Sequence, residues 1–184
     1  MSTKELYLCF EPVQQERRLN TEYDYIMDIL TSGDLEKLEE ASSIIDEFPN
    51  GKDNFVYRYW IINAIDCGSF ESVRWILEQG VDLDFRDDEG CTPILSAIDR
   101  ELPHKYEILK LLIEQGAPLN KKGWNDWTPL HQAVVREDIG ALKILLDAGA
   151  DLSIKTDIDD YATPYEEAKI LKRKKSIDFL KSYI

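Results

Sequence analysis

Apolar residues recur at spacings of three and four in short stretches, each followed by turn residues. Val73, Ile76 and Leu77, then Ile108, Leu111 and Leu112, then Leu142, Leu145 and Leu146 each mark one buried face of a helix. These stretches close at Gly80, Gly116 and Gly149, where glycine accepts the left-handed conformation that ends a helix. Other helices are announced by Thr-Pro. Thr92-Pro93, Thr128-Pro129 and Thr163-Pro164 place an N-capping hydroxyl ahead of a proline that needs no amide partner. Further upstream, Tyr25, Ile26, Ile29 and Leu30 predict a helix after Thr21, followed by a Thr31-Ser32-Gly33 turn. Asp34 is placed to cap a second helix carrying Leu35, Leu38, Ile44 and Ile45. Residues 1–20 receive no assignment, although Leu6, Leu8 and Phe10 alternate.

The elements repeat. Thr92-Pro93-Ile94-Leu95-Ser96-Ala97, Thr128-Pro129-Leu130-His131-Gln132-Ala133 and Thr163-Pro164-Tyr165-Glu166-Glu167-Ala168 start 36 and then 35 residues apart. The closing glycines form a second marker, out of phase with the first, at 36 and 33 residues. A degenerate copy, Trp60-Ile61-Ile62-Asn63-Ala64-Ile65, stands 33 residues before Pro93, with Tyr59 in place of the threonine. One helix pair cannot bury its own apolar face, so units of this period must stack.

From about residue 48 to 184 the pattern resembles the ankyrin repeat, whose core reads T-P-L-H-x-A; residues 116–148 are the best copy. The resemblance implies an all-α ankyrin-repeat solenoid of stacked helix-turn-helix units with protruding hairpin loops. Its expected division is an unassigned segment at 1–20 and an N-terminal capping helix pair at 21–47. A degenerate repeat at 48–79 follows, with repeats at 80–115 and 116–148 and a C-terminal capping repeat at 149–184. The resemblance also makes His131 a structural imidazole that ties backbone and threonine hydroxyl together. Trp60 and Trp75 fall at core positions, and Cys67 and Cys91 at variable surface positions.

Charge changes the picture most. There are 36 acidic residues against 22 basic ones, for a net −14. Residues 169–184 carry +5 and the rest of the chain −19, so the body repels phosphate backbones and anionic lipid and favours a basic partner. Residues 6–10 are too short an apolar run for a signal segment, and no stretch approaches a membrane span. Cys9, Cys67 and Cys91 lack metal-ligand spacing and fit reduced thiols. These features predict a cytoplasmic protein.

Candidate chemistry is sparse. With two histidines, no H-E-x-x-H, no phosphate loop and no G-x-S-x-G, no active site, cofactor or metal is expected. Asp87-Asp88-Glu89 and Asp157-Asp159-Asp160 read as acidic tips without the glycine and glutamate an EF-hand needs. An enzyme holding a metal on these tips is the remote alternative. Lys172-Arg173-Lys174-Lys175 reads as a polar cap turn, an import signal or an anion site.

The ankyrin resemblance implies that partners bind the hairpin tips and inner helices. Carried onto this chain, the outward positions are Phe55 and Arg58; Asp88, Glu89, Asp99 and Arg100; Trp124, Asn125, Trp127 and Arg136; and Asp159 and Tyr161. Trp124 and Trp127 are the expected aromatic anchors, unless one of them folds back over its neighbouring hairpin. The expectation is a non-catalytic protein-binding module, monomeric when free, that binds a basic protein and neither nucleic acid nor membrane. Some small, stand-alone, acidic ankyrin proteins of bacteria are immunity proteins that neutralise a basic toxin, which is the sharper reading; a general adaptor or regulatory subunit is the other.

Overall fold

A computed structural model describes residues 21–158 and 161–184. Cys9, Leu6, Leu8, Phe10, Asp159 and Asp160 lie outside the described residues. Among the described residues the helices come in pairs. They are α1 (Thr21–Ser32) and α2 (Leu35–Ile44), α3 (Trp60–Cys67) and α4 (Phe70–Glu78), and α5 (Pro93–Asp99) and α6 (Lys105–Glu114). Next come α7 (Pro129–Val135) and α8 (Ile139–Asp147), then α9 (Pro164–Ile170) and α10 (Lys174–Leu180). Odd-numbered helices pack side by side as one row, α1 on α3, α3 on α5, α5 on α7 and α7 on α9. Even-numbered helices form the second row, from α2 on α4 through to α8 on α10.

Local chemistry sets these boundaries. Asp34 Oδ1 accepts the Lys37 amide at 3.2 Å, Ser69 Oγ that of Ser72 at 3.1 Å, and Asp138 Oδ1 that of Ala141 at 3.0 Å. Each satisfies an amide that the first helical turn leaves without a partner. Thr92 Oγ1 accepts from the Leu95 amide at 3.3 Å, and Thr163 exchanges a capping box with Glu166. Gly80, Gly116 and Gly149 have φ of 72°, 87° and 92°, so the terminating glycines sit where an L side chain would be strained. The rows bury Leu38, Trp60, Ile65, Ile76, Leu95, Ile98, Ile108, Leu130, Leu142 and Leu145 between them, with Trp75 also inside.

Successive units are joined through their polar groups. His131 is fully buried; its Nδ1 accepts from the Thr128 amide at 3.3 Å and the Thr128 hydroxyl at 2.8 Å. Its Nε2 then carries the proton and donates to the Ala162 carbonyl at 3.0 Å, across to the following unit. Protonating Nδ1 would break the contact with the Thr128 amide, which can only donate. Burial, with some repulsion from Lys122, lowers the His131 pKa and keeps the ring neutral. Ser72 Oγ donates to the Leu30 carbonyl at 2.8 Å, and Ser176 Oγ to the Val134 carbonyl at 3.1 Å, so an outer helix caps the end of the preceding inner helix.

Two surface expectations are corrected. Arg100 is only 5% exposed. Its guanidinium donates to the carbonyls of Ile65, Gly68 (2.9 Å) and Pro103 (3.1 Å), closing the carbonyl end of α3. An arginine is long enough to leave its own turn and reach its neighbour's helix terminus, which sequence position alone does not reveal. Cys91 is 4% exposed, not a surface thiol. Burial, and after it the charge of Asp87, pushes that thiol up, away from a reactive thiolate.

Candidate protein-binding face

The inner row and the tips that precede it carry the outward positions, and the structure sorts them into three groups. The first is a polar network along α3, α5 and α7. Arg58 Nη2 donates to Asp66 Oδ2 at 2.6 Å, and Ser96 Oγ donates to Asp66 Oδ1. Burial works against the Arg58 charge, but Asp66, and further off Glu89, hold its pKa above the ordinary value. One turn along the row, Asp99 Oδ1 accepts from Gln132 Nε2 at 2.6 Å and from Arg136 Nε at 2.7 Å. Gln132 Oε1 in turn accepts from Trp124 Nε1 at 3.1 Å. Trp124, Asp99 and Arg136 are thus brought together through Gln132, and Arg58 is held beside them by Asp66.

The second group consists of residues drawn inward. Trp124 is half-buried, packs on the core and donates its amide to the Gly90 carbonyl of the preceding tip at 2.8 Å. It is a brace between tips, so the expectation of Trp124 as a free aromatic anchor is corrected. The reason lies at Gly90 and Gly123: a Cβ at Gly123 would stand 2.6 Å from the Gly90 carbonyl oxygen. Two glycines let the backbones of adjacent tips touch, while the indole is tied to its own unit through Gln132. Trp127 is half-buried as well, its amide donating to the Trp124 carbonyl at 3.1 Å.

The third group is exposed: Phe55, Asp88, Glu89, Asn125 and Tyr161. Asp88 reaches Lys52 at 3.9 Å, while Lys121 reaches Asp84 of the preceding tip at 2.6 Å. Lys122 holds Asp126 at 3.0 Å and Asp157 of the following tip at 2.5 Å. Asp126 is held below the ordinary carboxylate range against the effect of its burial, chiefly by the Asp157 amide and by Lys122. Asp159, the remaining expected contact, lies outside the described residues.

The sequence reading missed Asp53, Tyr23 and Gln132. Asp53 is buried and binds the amides of its own loop, and no local pattern sets it apart from the other acidic loop residues. Gln132 follows His131 in the Thr-Pro-Leu-His-Gln string, where a helical position gave no hint of its reach. An open cleft of about 410 Å³ lies at the far ends of α5 and α7, lined by Asp99, Lys105, Tyr106, Arg136 and Asp138 among others. Its charges pair with one another, Lys105 with Asp138 at 2.7 Å and Arg136 with Asp99. Among the described residues no group of three His, Cys, Asp or Glu could hold a metal ion, and no helix is long and apolar enough to cross a membrane.

Residues 61–156 match the family model for ankyrin repeats, in three copies. The chain belongs to the ankyrin-repeat family. Ankyrin repeats are a protein–protein interaction module, so the inner helices and tips are the face on which to seek a partner. This ankyrin-repeat protein is 36% identical over 113 residues to a putative E3 ubiquitin-protein ligase of Arabidopsis thaliana, covering 60% of this chain and 23% of that protein. It is 25% identical over 154 residues to a putative ankyrin repeat protein of Rickettsia bellii, 78% of this chain and 43% of the other. With an ankyrin repeat and SAM domain-containing protein of Rattus norvegicus it shares 31% identity over 98 residues, 52% of this chain and 11% of that one. The chain spans less than half the length of each.

Proposed function

We propose that this chain is a non-catalytic protein-binding module of about four ankyrin repeats with an N-terminal capping pair, and that its partner is a basic protein laid across the tips and inner helices. The observation that carries the reading is the division of the face itself. Its inward polar groups are bonded to one another, which fixes the scaffold, while Asp88 and Glu89 stand exposed at a tip on a chain of net −14. Rim carboxylates of this kind accelerate encounter with a cationic surface and make it sensitive to salt. A face of this extent can cover about 800 Å² per partner, enough for a specific complex.

The sharper form of the proposal is a stoichiometric inhibitor, an immunity protein that masks a basic toxin. Affinity capture from the native cell at low salt, with stepped salt elution, tests both levels. One dominant basic partner supports the module reading. Loss of that partner's toxicity on co-expression supports the inhibitor. Rate measurements then decide the electrostatics: Asp88→Asn/Glu89→Gln should slow association several-fold at low salt and leave dissociation nearly unchanged. An association rate indifferent to salt counts against a basic partner, and several unrelated partners would favour an adaptor.

A further inference from the structure

One loop presents apolar side chains to solvent and is held there by a buried charge. Asp53 is 1% exposed. Its Oδ1 accepts the amides of Phe55 at 2.9 Å, Val56 at 2.6 Å and Tyr57 at 3.1 Å, and its Oδ2 accepts the Arg58 amide at 3.1 Å and Asn63 Nδ2 at 2.9 Å. The Asp53 amide donates back to the Arg58 carbonyl at 2.8 Å and closes the loop. Burying a carboxylate is unfavourable unless its lone pairs are filled, and here the backbone of residues 55–58 fills them. The loop therefore has one conformation, tight enough to keep Tyr57 at φ 58°, where an aromatic L residue rarely sits.

That conformation leaves Phe55 54%, Val56 47% and Tyr57 70% exposed. Phe55 rests on the Tyr23 ring, 5.2 Å between centroids, and Tyr23 stacks on the buried Trp60 at 6.0 Å. The platform is rigid from the core outward, so a partner side chain that lands on it has little further ordering to impose. Its surroundings are acidic. Glu22 is oriented by Asn54 Nδ2 at 2.8 Å, and Asp88 and Glu89 project from the next tip. Burial first, then the charge of Asp53 and more distantly that of Asp24, push the Tyr23 hydroxyl up. The nearby cations are engaged: Arg58 by Asp66, and Lys52 over the Tyr59 ring at 5.0 Å and toward Asp88.

We infer that the loop at residues 53–58 is the anchor for the partner, and that it takes an apolar side chain flanked by lysine or arginine on a protein segment. This rests on the basic-partner reading above and narrows it to one place and one chemistry. The apolar side chain lies on Phe55 and Tyr57, while the flanking cations meet Glu22, Asp88 and Glu89. Asp53 is a positioning residue that sets the loop without touching the partner.

The test is an amide-resolved NMR titration of the full chain with short synthetic peptides of equal length. The first places a leucine or tryptophan between lysines and arginines. The second replaces that residue with serine, and the third replaces the cations with glutamate. The first peptide should shift the amides of residues 54–58 and 87–89 to saturation, and the other two should bind at least about tenfold more weakly. Phe55→Ser/Tyr57→Ser should lose the same factor and keep the amide spectrum away from the loop and from Tyr23, since both side chains are more than half exposed. Saturating shifts confined to α5 and α7 overturn the loop as anchor while leaving the basic-partner reading in place. Equal affinity for the glutamate peptide overturns the partner chemistry. Absence of saturable shifts with every peptide at millimolar concentration overturns the inference, and the native-cell capture then judges the broader reading separately.

Discussion

Replacing Arg100 with methionine keeps the aliphatic stem in place and removes the guanidinium. Three carbonyls lose a charged donor. That of Pro103 lies on an exposed turn and recovers water, whereas those of Ile65 and Gly68 stay buried at the end of α3. An acceptor left unpaired in the interior costs about 1–3 kcal/mol, so the two together cost about 4 kcal/mol. Relief of the buried charge and the new apolar contact return about 1 kcal/mol, for a net loss near 3 kcal/mol. For a chain of this size that lowers the melting temperature by about 6–12 °C. Urea unfolding followed by circular dichroism measures it, with Arg100→Lys expected to fall between the two because one ammonium cannot serve carbonyls on both sides of the turn. A loss under about 1 kcal/mol for Arg100→Met would refute the bridging role and return Arg100 to the candidate binding surface.

Other outcomes follow from the same geometry. His131 has a lowered pKa in the folded chain, so the unfolded chain takes up its proton first and stability falls as the pH drops below about 6.5, by up to about 1.4 kcal/mol per unit until the folded ring also titrates; an NMR titration of its Cε1 proton should show no midpoint near pH 6.5, and a midpoint there would refute the lowering by burial. Trp124→Phe strips Gln132 Oε1 of its donor and should destabilise by about 1 kcal/mol in urea, with the loss abolished in a Gln132→Met background if the hydrogen bond is its cause. Gly123→Ala drives a Cβ toward the Gly90 carbonyl and Leu95, and should cost about 2 kcal/mol or more; a neutral result by thermal melting would mean that the two tips do not touch.

The solenoid was legible because its signals are local. Thr-Pro, the closing glycines and apolar spacings of three and four each report a constraint that acts within one turn of chain, and the period repeats them. Side-chain destinations were less so. Arg100 and Trp124 occupy outward positions within their own repeat, yet the guanidinium of the first finishes at the end of α3 and the backbone of the second is held against Gly90 of the preceding tip. Both outcomes depend on a neighbour about 34 positions away, whose carbonyls and glycines no local pattern connects with them. Phe55 was legible as exposed, but not Asp53 as what holds it there, because a carboxylate that bonds its own following amides looks in sequence like any acidic loop residue.

The bridges between units have a common reach. Ser96 to Asp66, His131 to Ala162, Arg136 to Asp99, Lys122 to Asp157 and Ser176 to Val134 each span between 30 and 42 residues, one unit and no more. A molecule wired in this way behaves as a row of coupled neighbours, in which cooperativity is a property of the seams. Loosening one seam need not melt the others, so the chain can open from an end while its middle holds. A partner clamped across Asp88, Glu89 and the 53–58 loop would straddle the seam between two units, and its binding energy would appear as resistance to opening at that seam.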